Sequence, residues 1–403
     1  MRPPAARAVA DLFAYRNELH ARREQMAAEA AQELVADLAE HTDGRPYVEV
    51  ADELCARMGV RLRTWADGPV DDHVAPNTFA AAVLTAATAA VRGKLPEAGA
   101  EPDGWRGAWQ VLTAVTRMVA ADAAADAIAE LRSLPGAEVL PELPDGPAAT
   151  SPILWVRDAY GSRFGVTASF STLGGDDRWY LWDVDACGYM PFTVHSGYYP
   201  TQEQALAAWR AGVGPMAAEA AAAPVDDPSL LAELLFPGEG LIRAGGESAE
   251  QLAEYHRGAR LADAALSTLT VSPYDPAEDQ AANAAREFEA WLREHRPDRL
   301  PADIDEIAAE LAGSWRIDSP PALFHTCSPH RVASAVAHVR DYYEDDFAER
   351  LIDVLPDWIS WLAARTGLSP DLADRCTPYV RGRRFPGTEG DGTQPNYQAR
   401  VVE

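Results

Sequence analysis

The stretch PGAEVLPELPDGPAATSP, Pro135 to Pro152, holds five prolines and three acidic residues. Proline fixes φ and lacks an amide hydrogen, so no helix crosses this stretch and no central strand contains it. It separates parts of different character. Before it the chain is alanine-rich with helical periodicity. After it come short aromatic and β-branched runs separated by glycine and aspartate, and then helical patterning returns. The pattern predicts a mainly α protein in which helical bundle regions flank a small central α+β unit with an antiparallel meander. The corresponding regions are a helical N-terminal bundle (1–135), a linker (136–152), a small α+β domain (153–213), a helical C-terminal region (228–381) and a polar tail (382–403).

Within the first region, Leu12, Leu19, Met26, Leu34 and Leu38 form a loose apolar stripe, so residues 5–40 are predicted to be one long helix or two in line. A second helix is expected from Val48 to Met58, stopped by Gly59, with Arg61–Trp65 as a short extended piece. Asn77 or Thr78 is the expected cap of an alanine-rich helix ending at Val91. Trp105 to Leu134 reads as a further long helix.

In the centre, Ile153–Val156, Phe164–Phe170, Arg178–Trp182 and Met190–His195 read as strands. Thr201 and Gln204 have capping-box spacing for a helix that can cover one face of the sheet. Helices are expected near 228–236, 248–268, 276–295, 302–313, 328–353, 355–366 and 369–380.

The chain carries 62 acidic and 35 basic side chains, a formal charge of −27, and only one lysine, Lys94. From residue 216 onward there are 33 acidic and 17 basic residues. This field repels nucleic-acid phosphates and acidic lipid headgroups, and it favours basic partners. Four scattered cysteines without a CxxC pair point to a reduced, cytoplasmic setting. The opening residues lack the apolar core of a secretory signal. The longest apolar run, Phe79–Val91, is too short to span a bilayer and predicts a buried helix.

Three clusters carry potential chemistry. The first is the aromatic sheet segment from Arg178 to Tyr199. Aromatic side chains on both faces of a strand suit one face to packing and the other to contact with a partner. Trp182, Tyr189, Tyr198 and Tyr199 are therefore the candidate protein contacts. Asp183, Asp185 and His195 in the same segment are the residue types for acid–base work or metal binding.

The second is His325-Thr-Cys327-Ser-Pro-His330, three metal-ligating types whose spacing fits no standard zinc motif. The third runs from Trp358 to Cys376, where Gly367, Ser369 and Pro370 give the grammar of a helix-turn-helix. Arg375, Arg381, Arg383 and Arg384 there are the candidate nucleic-acid contacts. Val50–Arg63 is a weaker candidate of the same kind.

No nucleophile elbow, phosphate loop or HExxH motif occurs, so the sequence assigns no catalytic residue, metal or cofactor. The expected function is a non-enzymatic regulator or scaffold acting through protein contacts or self-association. The alternatives are a DNA-binding regulator using the C-terminal helix pair, and a metal-dependent hydrolase.

Overall fold

A computed structural model of the chain describes residues 4–95, 104–143, 147–171, 177–186, 191–217, 220–235, 248–270, 280–317 and 319–382. It is mostly helical with a small open antiparallel sheet, the expected fold class.

The N-terminal helices are α1 (Pro4–His41), α2 (Tyr47–Ala66), α3 (Pro76–Arg92), α4 (Trp105–Val115) and α5 (Ala121–Arg132). Leu38, Leu54, Met58, Phe79, Val83 and Leu112 are among their fully buried side chains. Alanine lets these helices approach closely. Gly107 of α4 lies so near α1 that a Cβ would stand 2.0 Å from the Ala39 carbonyl oxygen. The long α1 is one helix, and the turn at 70–72 holds its exposed half: Arg23 donates to the Val70 carbonyl, and the Tyr15 hydroxyl to Asp71.

Several expected boundaries move, each for a physical reason. Gly59 does not stop α2, which continues through Arg61–Trp65. A Cβ at Gly59 would lie 2.2 Å from the Ala249 carbonyl oxygen, so the glycine is there for contact with a later helix. Neither Asn77 nor Thr78 caps α3. Pro76 occupies the first turn and Ala75 is the cap, while Asn77 accepts a hydrogen bond from the Tyr255 hydroxyl. The helix expected over 105–134 breaks after Val115. There the Thr113 and Thr116 hydroxyls bond back to the carbonyls of Gln110 and Thr113, competing with helix continuation. The start of the proline stretch packs on the bundle: Ala137 and Leu140 are buried, and Arg132 donates to the Leu140 carbonyl.

The sheet contains β1 (Leu154–Arg157), β2 (Arg163–Phe170), β3 (Arg178–Asp185), β4 (Phe192–Tyr199) and β5 (Ala223–Pro224), in the order β4-β3-β2-β1-β5. The first four form the expected meander. On one face Phe164, Val166, Tyr180 and Trp182 meet α7 (Pro228–Leu235) and the end of α8 (Ala249–Leu266). On the other, Val156 and Leu181 meet Trp209 of α6 (Gln202–Val213). Gly165 makes room for the Trp209 indole, since a Cβ there would stand 2.7 Å from it. Thr201 caps α6 by accepting from the Gln204 amide.

Helix α8 joins two cores. Leu252 and Ala253 lie in the N-terminal bundle core, and Leu261 and Ala265 lie against the sheet.

The remaining helices are α9 (Gln280–His295), α10 (Ile304–Arg316), α11 (Pro329–Tyr342), α12 (Asp345–Thr366), α13 (Pro370–Asp374) and α14 (Thr377–Val380). Their core centres on Phe288, Trp315, Trp358 and Trp361. The expected helix over 328–353 ends at Tyr343, whose backbone is extended and whose hydroxyl donates to Glu310 at 2.6 Å. The break expected between the helices at 328–353 and 355–366 is absent: α12 runs through it, with Pro356 inside the helix. Burial of Leu351, Ile352 and Leu355 before it and Trp358 after it holds the helix together. Among the described residues no helix is long and apolar enough to cross a membrane.

Two of the helical glycines, Gly59 and Gly313, predict opposite outcomes. Gly59→Ala should destabilise the protein by about 1–3 kcal/mol, because α2 and α8 must separate. Gly313→Ala, with nothing within 4 Å of the added carbon, should stabilise α10 by about 1 kcal/mol. Urea denaturation followed by circular dichroism checks both signs.

Candidate functional site

The densest polar cluster lies at one end of the sheet. Asp158 closes β1 and forms the turn into β2. Its Oδ1 accepts from the Ser162 amide at 2.8 Å and the Arg163 amide at 3.0 Å, and Gly161 supplies the positive φ of +67°. This turn aims Arg163 along the α6 face of the sheet.

Arg163 stands opposite Asp185 in the ladder and diagonal to Asp183. Its guanidinium grips Asp183 with both arms: Nε to Oδ1 at 2.8 Å and Nη2 to Oδ2 at 2.7 Å. The end of α6 covers the pair, since a Cβ at Gly212 would lie 3.4 Å from Asp183 Oδ2. From the other side, His330 at the start of α11 brings Nδ1 to 4.0 Å from Asp185 Oδ2.

None of these five residues is more than 7% exposed. Burial pushes the Asp158 carboxyl up to about 6, against the two amide hydrogen bonds that favour its charge. Burial also raises Asp183, outweighing the Arg163 pair. It lowers His330, outweighing the attraction of Asp185. The imidazole is therefore neutral at pH 7, and the guanidinium is the cluster's counter-charge. Chemically, the arrangement fastens the β1–β2 turn, β3, α6 and α11 to one another. It gives a substrate no direct approach.

The sequence candidates sort out around this cluster. Asp183 and His195 are ladder partners, but the Asp183 carboxylate turns to Arg163. The His195 ring lies at the surface, with Nε2 at 2.8 Å from the Tyr199 hydroxyl. Asp183, Asp185 and His195 do not form one site; Asp185 meets His330 instead.

His325, Cys327 and His330 diverge. The His325 ring packs between Phe324 and Trp361, and burial with nearby Arg365 lowers its pKa to about 4. The Cys327 sulfur lies 4.0 Å from that of Cys376. Among the described residues no group of three or more His, Cys, Asp and Glu side chains is arranged to hold a metal.

Trp182 is a core residue, 2% exposed, with Nε1 donating to the Gly258 carbonyl of α8. Its surface is covered by its own chain, so it presents no face to a partner. Tyr198 is half-buried, edge-on to Tyr180 and between Arg178 and Arg257. Tyr199 is half-exposed beside His195, and Tyr189 lies outside the described residues.

Of the arginines, Arg375 and Arg381 are exposed; Arg383 and Arg384 lie outside the described residues. Gly367 ends α12 with a φ of +71° and Ser369 caps α13, as the sequence suggested. However, α13 has only five residues, about 7 Å of helix. That is short for a helix laid along a DNA groove. Val50–Arg63 lies inside the continuous α2 and contains no turn.

Asp158 and Arg163 did not stand out in sequence. The available signal was an arginine opening one strand of a hairpin whose partner strand carries Asp183 and Asp185 on a single face. No family model, curated protein or solved structure matches the chain.

Arg163→Met should cost about 3–5 kcal/mol by leaving Asp183 buried without its cation. Combined with Asp183→Leu, the loss should be well below the sum of the single losses. Additive losses in urea titrations would contradict the coupling.

The raised Asp158 pKa has a defined sign. The folded state holds this proton more tightly, so the stabilisation it brings is full below 3.8 and lost as pH rises through about 6. Wild-type stability minus that of Asp158→Asn should therefore fall by about 3 kcal/mol over this window and stay level above it. A flat difference would contradict the assignment.

Proposed function

We propose that the chain is a non-enzymatic regulatory or scaffolding protein of the cytoplasm, and that it binds protein through the outer edge of β4. The observation that carries this reading is the chemistry of the edge. A terminal strand carries a row of backbone donors and acceptors outside its own ladder, and proteins ordinarily blunt it with charge or proline within the strand. Phe192–Tyr199, FTVHSGYY, contains neither, in a chain that is 24% charged; Pro191 and Pro200 bracket it, and its ladder with β3 shifts register at Val194.

Thr193 and His195 are exposed, Tyr199 is half-exposed, and the space above Gly197 is open. An extended segment can add here as a further strand. Main-chain hydrogen bonds would give affinity, while the His195–Tyr199 pair reads alternate side chains. The net charge of −27 favours basic partner sequences. Support for binding over catalysis comes from the acid–base side chains, which are buried against one another.

The test is co-purification from native cells and light scattering of the purified chain. Wild type is compared with Thr193→Lys/His195→Lys, which places charge on the edge at two exposed positions. A partner chain, or a second copy, retained by wild type should be held about tenfold more weakly by the variant, with unchanged circular dichroism and Tm. Equal retention by both proteins would place the contact elsewhere.

A further inference from the structure

We infer that Cys327 and Cys376 form a redox modification site: a thiol pair that a hydroperoxide converts into an intrachain cystine. Their sulfurs lie 4.0 Å apart although the residues are 49 positions apart in sequence. A disulfide needs about 2 Å between sulfurs, so the two thiols must approach by about 2 Å.

The two residues sit on separate pieces of structure. Cys327 immediately precedes Ser328, which caps α11. Cys376 joins α13 to α14, the two short helices that end the described chain. The pair is therefore a latch between the C-terminal cap and the rest of the molecule.

Both thiols are buried, and the hydrogen bond with Cys376, reinforced by burial, raises the Cys327 thiol above its ordinary value. In the closed protein the reaction is slow, because the thiolate is the nucleophile. Access therefore requires brief opening of the cap. It comprises helices of five and four residues, and its ties to the body include the burial of Cys376 and Val380 in the C-terminal core, a 3.5 Å hydrogen bond from Tyr160 to the Leu372 carbonyl and a 3.7 Å contact from Arg375 to Met216.

Once open, one thiolate attacks a peroxide oxygen. The S–O bond forms, the O–O bond breaks, and hydroxide leaves to become water. The second sulfur then attacks the sulfenic sulfur, the S–S bond forms, and the hydroxyl leaves as a second water. Two thiols and one peroxide give one cystine and two waters, and the two electrons lost by sulfur reduce the peroxide. Reclosure leaves the cap covalently tied to the start of α11, beside His330 and the buried charge cluster.

The test treats the full chain with hydrogen peroxide under native conditions, counts thiols, and maps linked peptides by mass spectrometry after proteolysis. The expected result is loss of two of the four thiols, a mass lower by two hydrogens, and one linked pair joining the peptides of Cys327 and Cys376. Dithiothreitol should restore all four thiols. Cys376→Ser should abolish the cross-link. Mapping in the wild type decides the matter even if that variant folds poorly. Four thiols retained while free glutathione in the same tube is oxidised would overturn the proposal. So would a dominant linkage through Cys55 or Cys187, or oxidation to sulfinic acid without a cross-link.

Discussion

A fully buried guanidinium must be met by carboxylate, and that requirement organises the centre of this molecule. Arg163 is 0% exposed, and losing water around a charge costs several kcal/mol unless geometry and hydrogen bonds replace it. Asp183 provides the bidentate partner, and Asp185 stands directly across the ladder. The consequence is register. A slip of one residue between β2 and β3 would carry the arginine to the face lined by Phe164 and Trp182, where an unmatched charge could not remain. One ionic contact thus specifies which way the aromatic residues of the sheet point.

Small side chains join the regions. At Gly59, Gly107 and Gly165, respectively, a helix carbonyl, another helix carbonyl and an indole ring occupy the space a Cβ would need. Through the first of these, α8 lies against α2 while its other half covers the sheet. Arg331 plays a similar part further on. Its buried guanidinium donates to the carbonyls of Trp315 and Leu323 and so ties the end of α10 to α11. Buried arginine recurs in this acidic chain as a fastener between elements.

This explains what was legible in the sequence. Strand alternation and the capping residues Thr201, Ser328 and Ser369 act locally, and each stands where its local chemistry requires. Gly59 misled because the same letter serves two purposes. A glycine can end a helix or admit a neighbour. The meetings of Asp185 with His330 and Cys327 with Cys376 depend on tertiary packing and leave no spacing signal. Trp182 illustrates the same limit: its strand position was readable, whereas the helix that covers it begins more than sixty residues later.

The resulting picture is a protein whose charge cluster and Cys327–Cys376 pair are enclosed and whose uncharged β4 edge supports a binding reading. Amide-resolved hydrogen exchange tests this contrast most directly. The account predicts strong protection for the amides of Ser162, Arg163 and Ala186 around the charge cluster. Alternate amides of Phe192–Tyr199, those directed away from β3, should exchange close to the rate of an unstructured peptide. Uniform protection along β4, or rapid exchange at Ser162 and Arg163, would contradict it.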